Sequence, residues 1–340
     1  MAGASAPPLT PVSSLMHWNR RSTNVARSKA WGWCITATAA ANIRGGLLQR
    51  VTHRVHAVEH VSFDIFAGET FSLVGESGCG KSTIAKALIG LVPHEGEILI
   101  AGRKLAHMSG QERKAVRRDV QMVFQDPMAA LDPRMRVGDL VEEPLVIHGT
   151  GDATSRRAWV AELFARVGLP AEAMERYPHE FSGGQRQRIC IARALALKPK
   201  LIICDESVSA LDVSVQARVL ALLETLKQEF GIAYLFISHD MAVVENISDR
   251  IGVMYLGQIV ELGTRAQIFS NPQHPYTRRL IAAVPVPDPT AARKTPPRLT
   301  GEVPSPIWPV DAGPERLLLR DIGHGHLVAD WADADQATAA

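Results

Sequence analysis

The ten residues VGESGCGKST, Val74 to Thr83, constrain what this chain can fold into more than any other stretch. The spacing Gly75-x-x-x-x-Gly80-Lys81-Ser82 is that of a phosphate loop, provided that it joins a strand to a helix. The flanks meet that condition. Thr70 to Val74 is a short apolar run of strand type, and TIAKALIGLV after the loop is apolar at helical spacing, with Pro93 as its expected stop. Glycine at 75, 78 and 80 lets the backbone bend so that N–H groups along Gly75, Glu76, Ser77, Gly78, Cys79, Gly80, Lys81, Ser82 and Thr83 turn inward on one anion. A helix start contributes only about 0.3–1 kcal/mol per charge, too little to hold a triphosphate. Lys81 and a divalent cation on the Ser82 hydroxyl must share that load.

A phosphate loop alone does not separate a kinase from a motor. PKLIICDES supplies an apolar strand, Leu201 to Cys204, that delivers Asp205 and Glu206 at its tip. Two carboxylates there suit a division of labour in which Asp205 holds magnesium and Glu206 activates an attacking water. HEFSGGQRQRICIARALAL, between the two motifs, opens a second helix on Ser182, Gly183 and Gly184. A serine cap explains Ser182, yet each glycine weakens a helix by about 1 kcal/mol. This second bare helix start has no acidic pair of its own, which predicts that it serves a neighbour's nucleotide in a head-to-tail dimer.

The chain has 340 residues, 46% of them hydrophobic and 21% charged, enough for a sizeable core. A net charge of +2 is too mild to imply nucleic acid or an anionic membrane as the main partner, so overall charge is uninformative here. No apolar run is long enough to cross a bilayer, so a membrane role must come through a partner. Four cysteines lie far apart with no CxxC pair, which suits free thiols. Cys79 sits beside Lys81 at a helix start, and both features are expected to lower its thiol pKa and make it alkylable, with protection by nucleotide. The cluster Arg113, Lys114, Arg117 and Arg118 reads as a solvated helix face, and His324 with His326 lacks the further ligands of a metal site.

The motifs in order, the phosphate loop at 75–82, VFQDP at 123–127, FSGGQ at 181–185, LIICDE at 201–206, SALD at 209–212 and ISHD at 237–240, resemble those of the ATP-binding subunit of an ABC transporter. The resemblance implies an α/β fold of the P-loop NTPase type, with a RecA-like core, an antiparallel β subdomain and a helical subdomain near 127–190. It implies ATP and Mg²⁺ as ligands, with Ser82, Gln125 and Asp205 toward the metal and Glu206, His239 and Gln125 as the catalytic set. Ser182, Gly183, Gly184 and Gln185 clasp the opposing subunit's γ-phosphate in this reading, and Asp212 bridges the two sites. NPQHPYTRRLIAAVPVPDP, together with MVFQDPMAALDPRMRVGDLVEEPL, is similar to the oligopeptide and dipeptide importer branch. That implies two transmembrane permease subunits, a second ATPase (self or paralogue), a solute-binding protein, no nucleic acid, and a peripheral place on the cytoplasmic face of the inner membrane. A soluble cassette acting on DNA or ribosomes is the competing class. Such proteins carry coiled-coil insertions or two cassettes, and no such insertion fits between Ser82 and Leu201.

Domain boundaries are expected at 1–43 for a basic, disordered leader, 44–270 for the nucleotide-binding domain and 271–340 for a shortened C-terminal extension. The first 58 residues contain no Asp or Glu. Two departures from the family pattern stand out. Ser207 replaces the usual proline after the catalytic glutamate, with modest expected effect. The opening strand and its adenine-stacking aromatic are replaced by ITATAAAN, which leaves Trp31, Trp33, an upstream His or nothing as the substitute.

Overall fold

A computed structural model describes residues 32–45, 50–100, 102–284, 307–309 and 312–330, all within the unit Trp31–Ala340. Its strands are β1 Gly32–Gly45, β2 Arg50–Phe66, β3 Thr70–Val74, β4 Glu95–Ile100, β5 Arg103–Lys104, β6 Val120–Val123, β7 Leu201–Asp205, β8 Ala233–Ser238, β9 Arg250–Tyr255, β10 Gln258–Thr264, β11 Ile307–Pro309, β12 Leu319–Asp321 and β13 Leu327–Ala329. Its α-helices are α1 Lys81–Leu88, α2 Gly110–Asp119, α3 Pro127–Ala130, α4 Val137–Ile147, α5 Ala153–Arg166, α6 Gly183–Leu195, α7 Val213–Phe230, α8 Met241–Ile247, α9 Arg265–Ser270 and α10 Pro275–Ala282.

Two sheets organise these elements. The larger runs β12-β13-β10-β9-β3-β8-β7-β6, with β6, β7, β8, β3 and β9 mutually parallel. Its central strands TFSLV, LIICD and AYLFIS are buried at every position, as strands covered on both faces must be. The smaller, β11-β2-β1-β4-β5, is antiparallel. One core cluster joins the two through Phe63, stacked 4.7 Å from Phe71, while α4, α5 and α6 gather a second around Leu140, Leu163, Phe164 and Ile189.

The expected leader is corrected at its C-terminal end. β1 begins at Gly32 and pairs with β2 (Ile35 with Phe63) and β4 (Ile35 with Ile98), so residues 32–43 belong to the antiparallel sheet. The physical reason lies in the sequence itself. Ile35, Ala37 and Ala39 are buried while Thr36 is exposed, the period-2 alternation of a half-buried strand. Residues 1–31, and with them Trp31, lie outside the described residues.

Helix α1 stops at Leu88, before Pro93. Gly90, at φ 73, ends it with a left-handed turn in which the Leu91 N–H reaches back to the Lys86 carbonyl. No residue of α2 is buried, as the solvated reading of its basic cluster requires. The C-terminal segment adds an edge to each sheet, β11 beside β2 and β13 beside β10.

Candidate functional site

Four parallel strands bring their C-terminal ends to one edge. Val74 pairs with Ser238, Asp205 with Ile237 and Cys204 with Val123. The loops that follow therefore place the Gly75–Ser82 segment, Gln125, Glu206 and His239 side by side at the carboxyl edge of the sheet, where open α/β sheets bind ligands.

The loop glycines have distinct reasons. A Cβ on Gly75 (φ 150) would stand 2.2 Å from the Met254 carbonyl oxygen, and one on Gly80 (φ 104) would stand 2.0 Å from that of Ala57, so neither position tolerates a side chain. Gly78 (φ 85) meets nothing and is required by its backbone angle alone. Glu76, Ser77 and Gly78 are exposed, whereas Lys81 is buried and donates from Nζ to the Gly75 and Glu76 carbonyls at 2.8 Å each. Gly80 caps α1 without a side chain, and the Thr83 N–H returns to its carbonyl at 3.1 Å.

Two contact sets, joined by the Asp205–Glu206 peptide bond, connect five of the predicted site residues. Ser82 Oγ donates to Asp205 Oδ1 at 2.8 Å. Burial raises the Asp205 carboxyl above its ordinary range, partly offset by that hydroxyl. Gln125 Nε2 donates to Glu206 Oε2 at 2.9 Å, and His239 Nδ1 lies 3.4 Å from Glu206 Oε1. Glu206 itself stands at φ 46, a conformation that costs a non-glycine residue on the order of 1–3 kcal/mol and clusters at functional sites. Its N–H is tied to the Ile237 carbonyl at 2.9 Å, which fixes the strained turn to β8.

FSGGQ lies apart from both sets, at the start of α6. Ser182 and Gln185 form a reciprocal cap, Ser182 N–H to Gln185 Oε1 at 2.9 Å and Gln185 N–H to Ser182 Oγ at 3.4 Å. A Cβ on Gly184 would meet Val215 Cγ1 at 2.4 Å, so that glycine is explained by the approach of α6 to α7. Gly183 opens on free space. Asp212 is exposed and begins α7 without capping it. The anion-cradle reading thus keeps Gly183, while Gly184 has a packing reason that the sequence alone does not reveal.

The expected activation of Cys79 is reversed. Its side chain is 7% exposed, and burial pushes the thiol up more strongly than Lys81, 3.7 Å away, draws it down. A raised pKa leaves it a neutral thiol at pH 7, so iodoacetamide should label Cys79 in the folded chain at least ~10-fold more slowly than free cysteine. Peptide mapping of labelled protein checks this; labelling at the free-cysteine rate would restore the activated thiol. Cys190 and Cys204, also buried, are pushed up to about 12.

The ring of Trp33, like Trp31, lies outside what the structure describes. The Trp33 backbone pairs with Ile65, seven residues along β2 from Val58, against which the phosphate loop packs at Gly80. At roughly 3.3 Å per residue that is about 23 Å away. The strand position that pairs with Val58 holds Ala39. His326 is buried and bonded to Glu261, and among the described residues no group of three or more His, Cys, Asp or Glu side chains is gathered as a metal site. No helix among them is long and apolar enough to cross a membrane.

A P-loop ATPase cassette is the class that this fold and site define. The family model "ABC transporter" matches residues 58–209, and "Oligopeptide/dipeptide transporter, C-terminal region" matches 260–310. The glutathione import ATP-binding protein GsiA of Pectobacterium atrosepticum is 56% identical over 288 residues, and that of Escherichia coli strain K12 57% over 291, each covering 84% of this chain. The chain spans 46% of the length of either relative. Two solved structures of the cassette MJ0796, one a dimeric post-hydrolysis state bound to ADP and Pi and one the dimeric bacterial ABC transporter cassette, each superpose with a TM-score of 0.61 at 28% identity. Each match covers 69% of this chain and 98% of that structure. Residues 58–209 thus carry the ATP-binding domain of the ABC transporter family, and 260–310 the C-terminal region of its oligopeptide/dipeptide branch.

Proposed function

We propose that this chain is the ATP-hydrolysing subunit of an importer for small peptides or peptide-like solutes such as glutathione, bound peripherally on the cytoplasmic face of the inner membrane. The observation that carries the reading is the presence, in one chain, of the ABC transporter match over the phosphate loop and acidic strand and of the C-terminal region characteristic of the oligopeptide/dipeptide branch. The partners proposed are two permease subunits, a second ATPase and a solute-binding protein. The proposed division of the chain is an ATPase domain that starts with β1 and includes the helical subdomain near 127–190, followed by the C-terminal extension from 271.

The chemistry follows from the side chains in place. Ser82 and Asp205 offer hard oxygens suited to Mg²⁺, which when bound supplies charge neutralisation at the phosphates. Lys81 exchanges its two loop carbonyls for phosphate oxygens. Glu206, held from both sides by Gln125 and His239, takes the proton of the attacking water, and His239 steadies that geometry. Gln125 follows β6 and precedes α3, so its contact with Glu206 ties the site to the helical subdomain.

Affinity purification from detergent-solubilised membranes of the native host tests the partner class. Co-purification of two permease subunits, with ATPase activity stimulated by peptide-loaded receptor in proteoliposomes, is expected. Recovery of ribosomes or DNA without permeases would favour the soluble class instead.

A further inference from the structure

The segment following the ATPase core returns to touch the phosphate loop. Tyr276 on α10 accepts a hydrogen bond at Oη from the Glu76 N–H at 3.0 Å, across 200 positions of sequence. Its ring packs on Tyr255 with centroids 4.5 Å apart, and burial raises its phenol well above the ordinary range, so the hydroxyl stays neutral and available as an acceptor. The same peptide group is held at its other end, because the Gly75 carbonyl that accepts from Lys81 Nζ belongs to the bond joining Gly75 to Glu76. One peptide plane is thus pinned from inside the pocket by Lys81 and from outside by Tyr276.

The outer pin is itself braced. Glu261 on β10 is fully buried and accepts from the N–H groups of Gln273 at 2.8 Å and His274 at 2.9 Å, which sets the start of α10. His326, beside β13, places Nε2 2.8 Å from the same carboxylate. His274 Nδ1 then accepts the Tyr276 N–H at 3.2 Å, capping the helix that carries the tyrosine.

We infer that Tyr276 is a positioning residue of the phosphate loop, through which the C-terminal region steadies nucleotide binding. The inference rests on the reading of that loop as the ATP site. When Lys81 leaves the Gly75 and Glu76 carbonyls for a phosphate, their peptide plane loses its inner anchor. Gly75, at φ 150, has no Cβ to resist a peptide flip, and Tyr276 remains as the outer anchor. Nucleotide therefore binds to a loop already held in one orientation, and the cost of ordering it is met in the unliganded protein.

The test compares the purified full chain with Tyr276→Phe, which keeps the ring on Tyr255 and removes the acceptor. Binding is read with a fluorescent ATP analogue, and exchange of the Glu76 amide by hydrogen–deuterium methods. The expected loss is about 2- to 12-fold in affinity, the worth of one hydrogen bond, with an unchanged melting temperature and faster exchange confined to the loop. Wild-type affinity in the variant overturns the inference, and so does a loss that comes with a lowered melting temperature. Should the variant not fold, the wild-type chain decides: a Glu76 amide that exchanges as fast as those of Ser77 and Gly78 rejects the pin. A wild-type chain that binds no nucleotide at all would instead reject the ATP-site reading.

Discussion

Glu206→Gln is expected to bind ATP as tightly as the wild-type chain while turnover falls by about 10²- to 10⁴-fold, the usual contribution of a positioned general base. The substitution preserves the shape of the side chain and leaves an amide oxygen where Gln125 Nε2 donates at 2.9 Å, so the neighbouring geometry survives. It removes the one function that an amide lacks at neutral pH, taking a proton from water. The backbone adds a second reason for assigning the role to Glu206 rather than Asp205. Asp205 completes a regular strand and is engaged by the Ser82 hydroxyl, whereas Glu206 sits in a left-handed conformation beyond it, turned out of the strand toward Gln125 and His239. Strain of that kind persists only where surrounding contacts fix it, and here the Glu206 N–H to Ile237 carbonyl bond does so. Rapid-quench measurement of a single turnover, beside equilibrium binding of ATP, checks the expectation. Normal hydrolysis by Glu206→Gln would mean that another group is the base. Lys81→Ala provides the contrast, since it should reduce binding itself.

The order of these motifs along the chain was readable because each is a local event. A strand end, a glycine turn and a helix start lie within a dozen residues, and period-2 or helical spacing places them on the right elements. The strand Leu201 to Cys204 and the capped helix at Ser182 emerge as expected for that reason. What was hidden depends on distant partners. Gly184 looks like an anion cradle until Val215, on another helix, is seen where its side chain would stand. Tyr276 gives no local sign of reaching Glu76. The Cys79 thiol shows why sign errors arise: Lys81 and the helix start are visible in sequence and lower the pKa, while the packing that buries the sulfur is not visible and wins. β1 is obscured for another reason. Ile35, Thr36, Ala37, Thr38 and Ala39 alternate over only five residues, inside an acid-free, arginine-rich context whose composition resembles a leader.

Hydrolysis per chain should fall about tenfold for each tenfold dilution below the dimer dissociation constant, because dimer fraction then scales with concentration. The reasoning starts from where the signature residues stand. Ser182 and Gln185 are occupied with each other at the start of α6, Gly184 packs on α7, and exposed Asp212 opens that same helix. The contacts of Ser82 with Asp205 and of Glu206 with Gln125 and His239 use none of them. A single chain therefore presents a phosphate loop in one place and a second bare helix start in another, and the first turn of α6, open at Gly183, has N–H groups to offer an anion from outside. Two copies placed head to tail would bring each exposed loop against the partner's α6, and similar solved cassettes are dimeric. Complementation sharpens the test. Lys81→Ala lacks a working loop and Ser182→Arg blocks the second helix start, so each should be inactive alone. Mixed in equal amounts, they should regain up to about one quarter of the wild-type sites, since half the dimers are mixed and each holds one intact pocket. Rates that stay constant on dilution into the nanomolar range, or full turnover by Ser182→Arg, would show that one chain completes the site unaided.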